Sequence, residues 1–194
     1  MKRLFIGVPV TCPPAMDQVL AWQADPALNL NRLAWTKPSN WHFTLVFLGP
    51  TPGASVALLS QIIQKAFDQC PAYQSALTGV GVFPSRHRPL VLWLGLENIQ
   101  PLLPYFEKMV ELLLHNNFTF DSKPLKPHLT LARVKSIHNR ASLDNLLDIH
   151  PNTPFGHVPI NSITLYESIS TPNGVVDKPL YVKKLKEEQG WESK

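Results

Sequence analysis

What this chain lacks narrows its class before anything it contains is read. It has only two cysteines in 194 residues, Cys12 and Cys70. They stand at no metal-ligand spacing and are too few for a disulfide framework. Two small apolar thiols in a reducing cytoplasm are the simplest expectation. No apolar run approaches the length of a membrane span. The opening "MKRLFIGVPV" is basic, but its apolar stretch is too short for a secretory signal before Thr11-Cys12-Pro13-Pro14. It reads as the first strand of a soluble protein. No Gly-rich turn follows that strand, so a dinucleotide fingerprint and a phosphate loop with its lysine are both missing. Low-complexity tracts and blocks of like charge are absent too, which argues against a disordered chain.

What is present suits a globular protein: 44% hydrophobic and 16% charged residues, in a length that allows one substantial core or two small lobes. Nineteen prolines, many of them between the periodic segments, point to many short elements with rigid connections. The net charge of +4 is compatible with a phosphate-bearing partner without requiring one.

Strand and helix signals alternate. A strand is expected at 3–10, and Pro13-Pro14 opens a helix through about Gln23. A strong strand covers 42–48, stopped by "GPTPG". An amphipathic helix follows at 54–70, with Val56, Leu59, Ile62, Ile63 and Phe67 at helical spacing. Strands at about 74–83 and 89–96 precede a second long helix, whose apolar stripe is Phe106, Met109, Val110, Leu113 and Leu114. Then come a strand at 128–134, a short helix near 140–149 and strands near 157–168 and 175–183. The tail from about 186 to 194 is polar and expected to fray. This order predicts a mixed antiparallel α+β fold, and not a doubly wound parallel sheet.

One tetrapeptide pattern occurs twice. "HFTL" at 42–45 and "HLTL" at 128–131 each open an apolar strand. Alternate side chains of a strand share a face, so His42 lies with Thr44, and His128 with Thr130. A core histidine bonded to a carbonyl has no reason to bring a threonine two positions later, and still less to do so twice. Histidine titrates nearest neutrality, so one ring can hold a proton while the other accepts one. In-line displacement at phosphorus uses such a pair, and threonine hydroxyls can donate to the phosphoryl oxygens. Arg133 could neutralise the charge that grows there. Regular alternation, however, would point it away from His128. The recurrence suggests two related halves.

With these motifs the sequence resembles the 2H phosphoesterase superfamily, and within it the bacterial and archaeal RNA 2′,3′-cyclic phosphodiesterases, also called 2′-5′ RNA ligase-like proteins. The resemblance runs through "RLFIGVPV", "NWHFTLVFLG", "GVGVFPSRHRPLVLWLGL", "KPHLTLAR" and "ITLYES". It implies one bilobal domain over 1–194, with two pseudo-symmetric lobes of mixed or antiparallel sheet and outer helices around a central cleft. Each lobe would bring one motif to that cleft. It also implies opening of 2′,3′-cyclic phosphate to a 2′-phosphomonoester without metal or other cofactor, with 2′-5′ ligation as the reverse. His42 would then be the proton donor and His128 the acceptor. Thr44 and Thr130 would hold phosphoryl oxygens, and Arg133 would touch the phosphate. The donor and acceptor labels rest on the resemblance alone.

Phe83 and Trp93 are candidates for stacking on a base. Arg86, His87, Arg88 and Lys126 could meet an RNA backbone. His115, His138, His150 and His157 stand at no catalytic spacing and read as surface or structural. The expected partners are RNA ends or nucleotides bearing a cyclic phosphate, met by a monomer away from any membrane. Two other readings stay open: the same chemistry on a small cyclic phosphate or a 2′-5′ oligonucleotide, and an RNA-end-binding module without turnover.

Overall fold

The computed structural model of the chain describes residues 1–85, 87–172 and 174–187, and among them nine strands form two antiparallel sheets. The first sheet has the order β3-β1-β8-β9, from β1 (Lys2–Pro9), β3 (His42–Thr51), β8 (Ser162–Thr171) and β9 (Gly174–Lys184). The second runs β2-β6-β5-β4-β7, from β2 (Arg32–Trp35), β4 (Tyr73–Pro84), β5 (Pro89–Leu96), β6 (His128–Ser136) and β7 (Pro154–Ile160). Every named pairing is antiparallel. The expected α+β class with antiparallel sheets is therefore the observed one.

The helices begin and end where the sequence chemistry dictates. Helix α1 (Pro13–Ala24) opens on two prolines, whose fixed φ suits a first turn. It stops at Asp25, whose carboxylate then accepts from the N–H groups of Ala27 and Leu28 and starts the short α2 (Pro26–Asn29). Helix α3 (Val56–Ala66) buries Leu59, Ile62, Ile63 and Ala66. Helix α4 (Leu103–His115) buries Met109 and Leu113, while Leu114, expected in its apolar stripe, is exposed. Asn139 caps α5 (Arg140–Ile149) through the Ser142 N–H. Helices α3 and α4 pack together beside the first sheet, whereas α1 and α5 lie on the second.

Three expectations are corrected. The strand at 42 does not stop at "GPTPG" but continues to Thr51. Gly49 adopts a left-handed φ of 68°, and a register shift between Leu4 and Phe5 absorbs the extra residue, so the chain bends without leaving the sheet. The single strand near 157–168 is two strands, β7 and β8, one in each sheet, divided at Asn161. A continuous run of alternating residues hid that change of sheet. Thirdly, Lys186 is not frayed: it bridges to Pro71 and donates its N–H to the Cys70 carbonyl. The rest of the expected tail, from 188, lies outside the described residues, as does Arg86. Cys12 and Cys70 are free and buried, and burial pushes the Cys70 thiol up to about 12.

Each motif strand buries its back. Phe43, Leu129 and Leu131 are at most 1% exposed, and truncating a core phenylalanine costs about 3–5 kcal/mol. The opposite faces of β3 and β6 carry the histidines, and these two strands meet along the seam between the sheets.

Candidate active site

The two motif strands share one backbone device. In β6, Thr130 pairs with Trp93 but Ala132 pairs with Leu92, so Leu131 is an extra residue. Leu131 and Ala132 are consequently both buried, side by side in sequence. The bulge resets the alternation, and Arg133, opposite Val91, emerges exposed on the face of His128 and Thr130. In β3, Thr44 pairs with Gly7 and Val46 with Ile6, leaving Leu45 extra. Phe47 therefore joins the face of His42 and Thr44. The position that carries arginine in one strand carries phenylalanine in the other, and the Arg3 guanidinium of β1 lies over that ring, 5.1 Å from its centre.

The histidines are held alike. Nδ1–H of His42 donates to the Asn40 carbonyl at 2.8 Å, and Nδ1–H of His128 donates to the Lys126 carbonyl at 2.6 Å. A carbonyl can only accept, so each neutral ring carries its proton on Nδ1 and keeps Nε2 for chemistry. Both carbonyls come from the residue two before the histidine. The sequence holds a matching signal that the tetrapeptides overshadowed: "KPSNWH" at 37–42 and "KPLKPH" at 123–128 share a Lys-Pro five residues ahead of each histidine.

Burial lowers the pKa of both histidines below the ordinary value, since a buried ring resists charging. For His42 the Asn40 hydrogen bond and the Asp177 carboxylate pull the other way, while a charge on His128 lowers it further. The two rings thus share one electrostatic neighbourhood. For His128 the opposing influence is the hydrogen bond to Lys126.

The surroundings differ. His42 packs on Phe5, with ring centres 4.6 Å apart, and lies 5.7 Å from Tyr166, which stacks on Phe5 in turn. Asp177 of β9 stands beside it. A hollow of about 160 Å³ opens here, lined by Thr11, Asn40, Trp41, Tyr166 and Asp177. His128 meets the edges of Phe83 at 5.0 Å and Trp93 at 6.4 Å. The Trp93 indole lies across Gly81, where a Cβ would stand 2.1 Å from the ring. Lys126 places its ammonium 5.7 Å from the centre of Phe83. A larger hollow of about 720 Å³ beside α3, lined by Gln64, Lys65, Asp68, Lys108 and Tyr181, contains neither motif.

The structure therefore gathers His128, Thr130, Arg133, Phe83 and Trp93 on one face, and His42 and Thr44 on the other. Sequence reasoning missed Asp177, Phe5 and Tyr166, which only strand pairing brings to His42. His87 and Arg88 are exposed. His115, His138 and His157 are exposed, and His150 packs with Trp22 and Phe155, so these four lie apart from the site. No cluster of three His, Cys, Asp or Glu side chains arranged to hold a metal occurs among the described residues. No helix among them is long and apolar enough to cross a membrane.

Two sheets each present a strand-borne His-x-Thr pair with Nδ1 anchored to a carbonyl, an arrangement suited to paired acid and base chemistry at phosphorus. Among known proteins, the model of the LigT-like phosphoesterases matches residues 10–93. The RNA 2′,3′-cyclic phosphodiesterase of Aquifex aeolicus is 32% identical over 144 residues, 73% of this chain and 76% of that protein. The protein of the same name from Archaeoglobus fulgidus is 28% identical over 184 residues, 93% of this chain and 98% of its own. A crystal structure of a Thermus thermophilus protein superposes with a TM-score of 0.76 at 26% identity, covering 96% of this chain and all of that one. The chain belongs to the LigT-like phosphoesterase family.

Proposed function

We propose that this protein is an RNA 2′,3′-cyclic phosphodiesterase, opening terminal cyclic phosphates to 2′-phosphomonoesters, with the whole chain acting as one bilobal unit. The observation that carries the reading is the pair of Nδ1-anchored histidines, each beside a threonine on its own sheet. The names of the relatives from Aquifex aeolicus and Archaeoglobus fulgidus supply the substrate class.

His128 Nε2 takes a proton from water as the water oxygen bonds to phosphorus. The P–O3′ bond breaks on the opposite side, and His42 Nε2–H protonates the departing 3′ oxygen. The products are a 2′-phosphate and a 3′-hydroxyl, and exchange with solvent restores both rings. Thr44 and Thr130 donate to the non-bridging oxygens, and the Arg133 guanidinium neutralises charge there. Phe83 and Trp93 form the wall against which the terminal nucleoside rests. Two buried free thiols fit action in a reducing cytoplasm, and the assignment needs only a monomer.

The test is a short RNA ending in a 2′,3′-cyclic phosphate, incubated with purified protein in excess EDTA. A 2′-phosphate product, lost in both His42→Ala and His128→Ala, is expected. Binding of that RNA without product would overturn the reading in favour of an end-binding module. Preferred turnover of a small cyclic phosphate over the RNA would move the substrate assignment.

A further inference from the structure

His42 and His128 are anchored identically, yet only one has an acidic neighbour. Asp177 Oδ2 lies 3.8 Å from His42 Nδ1, and its side chain is 9% exposed. That is too long for a hydrogen bond but close enough for the field of a full charge. The backbone that carries the carboxylate is held there by Asn40, the residue whose carbonyl already orients His42. The Asn40 side-chain amide donates to the Val175 carbonyl at 2.7 Å, and its oxygen lies 3.5 Å from the Asp177 N–H. One residue thus fixes both the ring and the strand carrying the charge. Among the described residues no carboxylate stands within ion-pair distance of His128, whose ring neighbour Phe83 has the Lys126 ammonium 5.7 Å from its centre.

We propose that Asp177 is a positioning residue that makes the His42 side of the cleft the proton-donating side. The inference rests on the two-histidine reading above. An anion beside Nδ1 stabilises the imidazolium, and an acid must be an imidazolium before it can donate from Nε2. Without a carboxylate beside it, the buried His128 ring keeps to the neutral form that a base requires. The other groups facing His42 do not duplicate this. Burial pushes the Tyr166 phenol of β8 up, so it stays neutral. Phe5 of β1 and the Asn40 carbonyl are uncharged, and His128 of β6 opposes protonation. Glu167 is engaged by Lys2 at 2.6 Å, and Lys178 alternates to the far face of β9.

The experiment is Asp177→Asn, with the imidazole nitrogens followed by NMR through a pH titration without substrate. The His42 midpoint should fall by about one pH unit while that of His128 stays in place. At neutral pH, kcat on the cyclic phosphate should fall about tenfold with KM little changed, and Asp177→Glu should recover part of the loss. An unmoved His42 midpoint overturns the proposal. If the Asn variant does not fold, the Asp177 carboxyl carbon of the native protein should inflect at the His42 midpoint, and a flat trace there overturns it equally. Should the native protein lack turnover while the His42 midpoint still falls, the assigned reaction fails and the electrostatic role of Asp177 stands.

Discussion

The β3 and β6 motif regions use the same backbone to hold two unlike environments. Both strands bulge one residue after the threonine, and both histidines donate Nδ1–H to the carbonyl two residues earlier. Around that frame, β3 has Phe5, Tyr166 and a carboxylate, whereas β6 has Phe83, Trp93, an ammonium and Arg133. The backbone repeats what both rings need, a fixed tautomer. On the proposed reading, the side chains supply what must differ, a direction for the proton.

The largest break in this comparison comes from the rings themselves. His42→Ala and His128→Ala should each lower turnover of a cyclic phosphate by about 10²–10⁴-fold or more. A nucleotide aryl diester sharpens the distinction, because p-nitrophenolate leaves without a proton. His42→Ala should retain most of its activity on that ester and His128→Ala should not; equal losses would dissolve the donor and acceptor roles.

The bulges give the next effect. Arg133→Ala should reduce kcat/KM about 10–100-fold, since a charge-assisted hydrogen bond contributes about 1.5–3 kcal/mol. Phe47→Ala, at the matching position, should change it only a few-fold. Steady-state kinetics on both variants would show whether the two positions are functionally unlike. Gly81→Ala acts on one side alone: its methyl group would occupy the space of the Trp93 ring. Overpacking of this kind costs about 1–3 kcal/mol, read as a lowered denaturation midpoint.

The smallest effect is that of pH on stability. Burial depresses both motif histidines, so the folded state binds their protons less readily than the unfolded chain. Their stabilising contribution is complete above the unfolded pKa, about 6.5, and is lost as pH falls through the folded values. Denaturant midpoints should therefore decline on acidification from pH 8 towards pH 5, and the decline should be shallower in His42→Ala and His128→Ala.

Much of this site could be read from residue spacing. Period-two alternation was enough to place His42 with Thr44 and His128 with Thr130, because a strand leaves a side chain only two faces. Arg133 shows the limit. Its face depends on one unpaired residue, Leu131, and a bulge between apolar residues leaves no mark in the hydrophobic pattern. Short strand β2 escaped because four residues are too few for a period. Asp177 was beyond reach for another reason: nothing local to β9 says that its neighbour is a histidine at the start of β3. The Lys-Pro repeat ahead of each motif was visible but lies outside the strands, where periodicity is not sought.

The outer edges of the two motif strands are covered reciprocally. The Thr36 N–H, on the way into the first motif, donates to the Leu131 carbonyl at 2.7 Å, and the Asp121 N–H, on the way into the second, donates to the Phe47 carbonyl at 3.0 Å. The segment before each motif reaches across to the strand that carries the other. Neither motif strand is therefore finished by the segment around its own motif alone. A fragment carrying one motif alone would leave the Leu131 or the Phe47 carbonyl without its partner N–H.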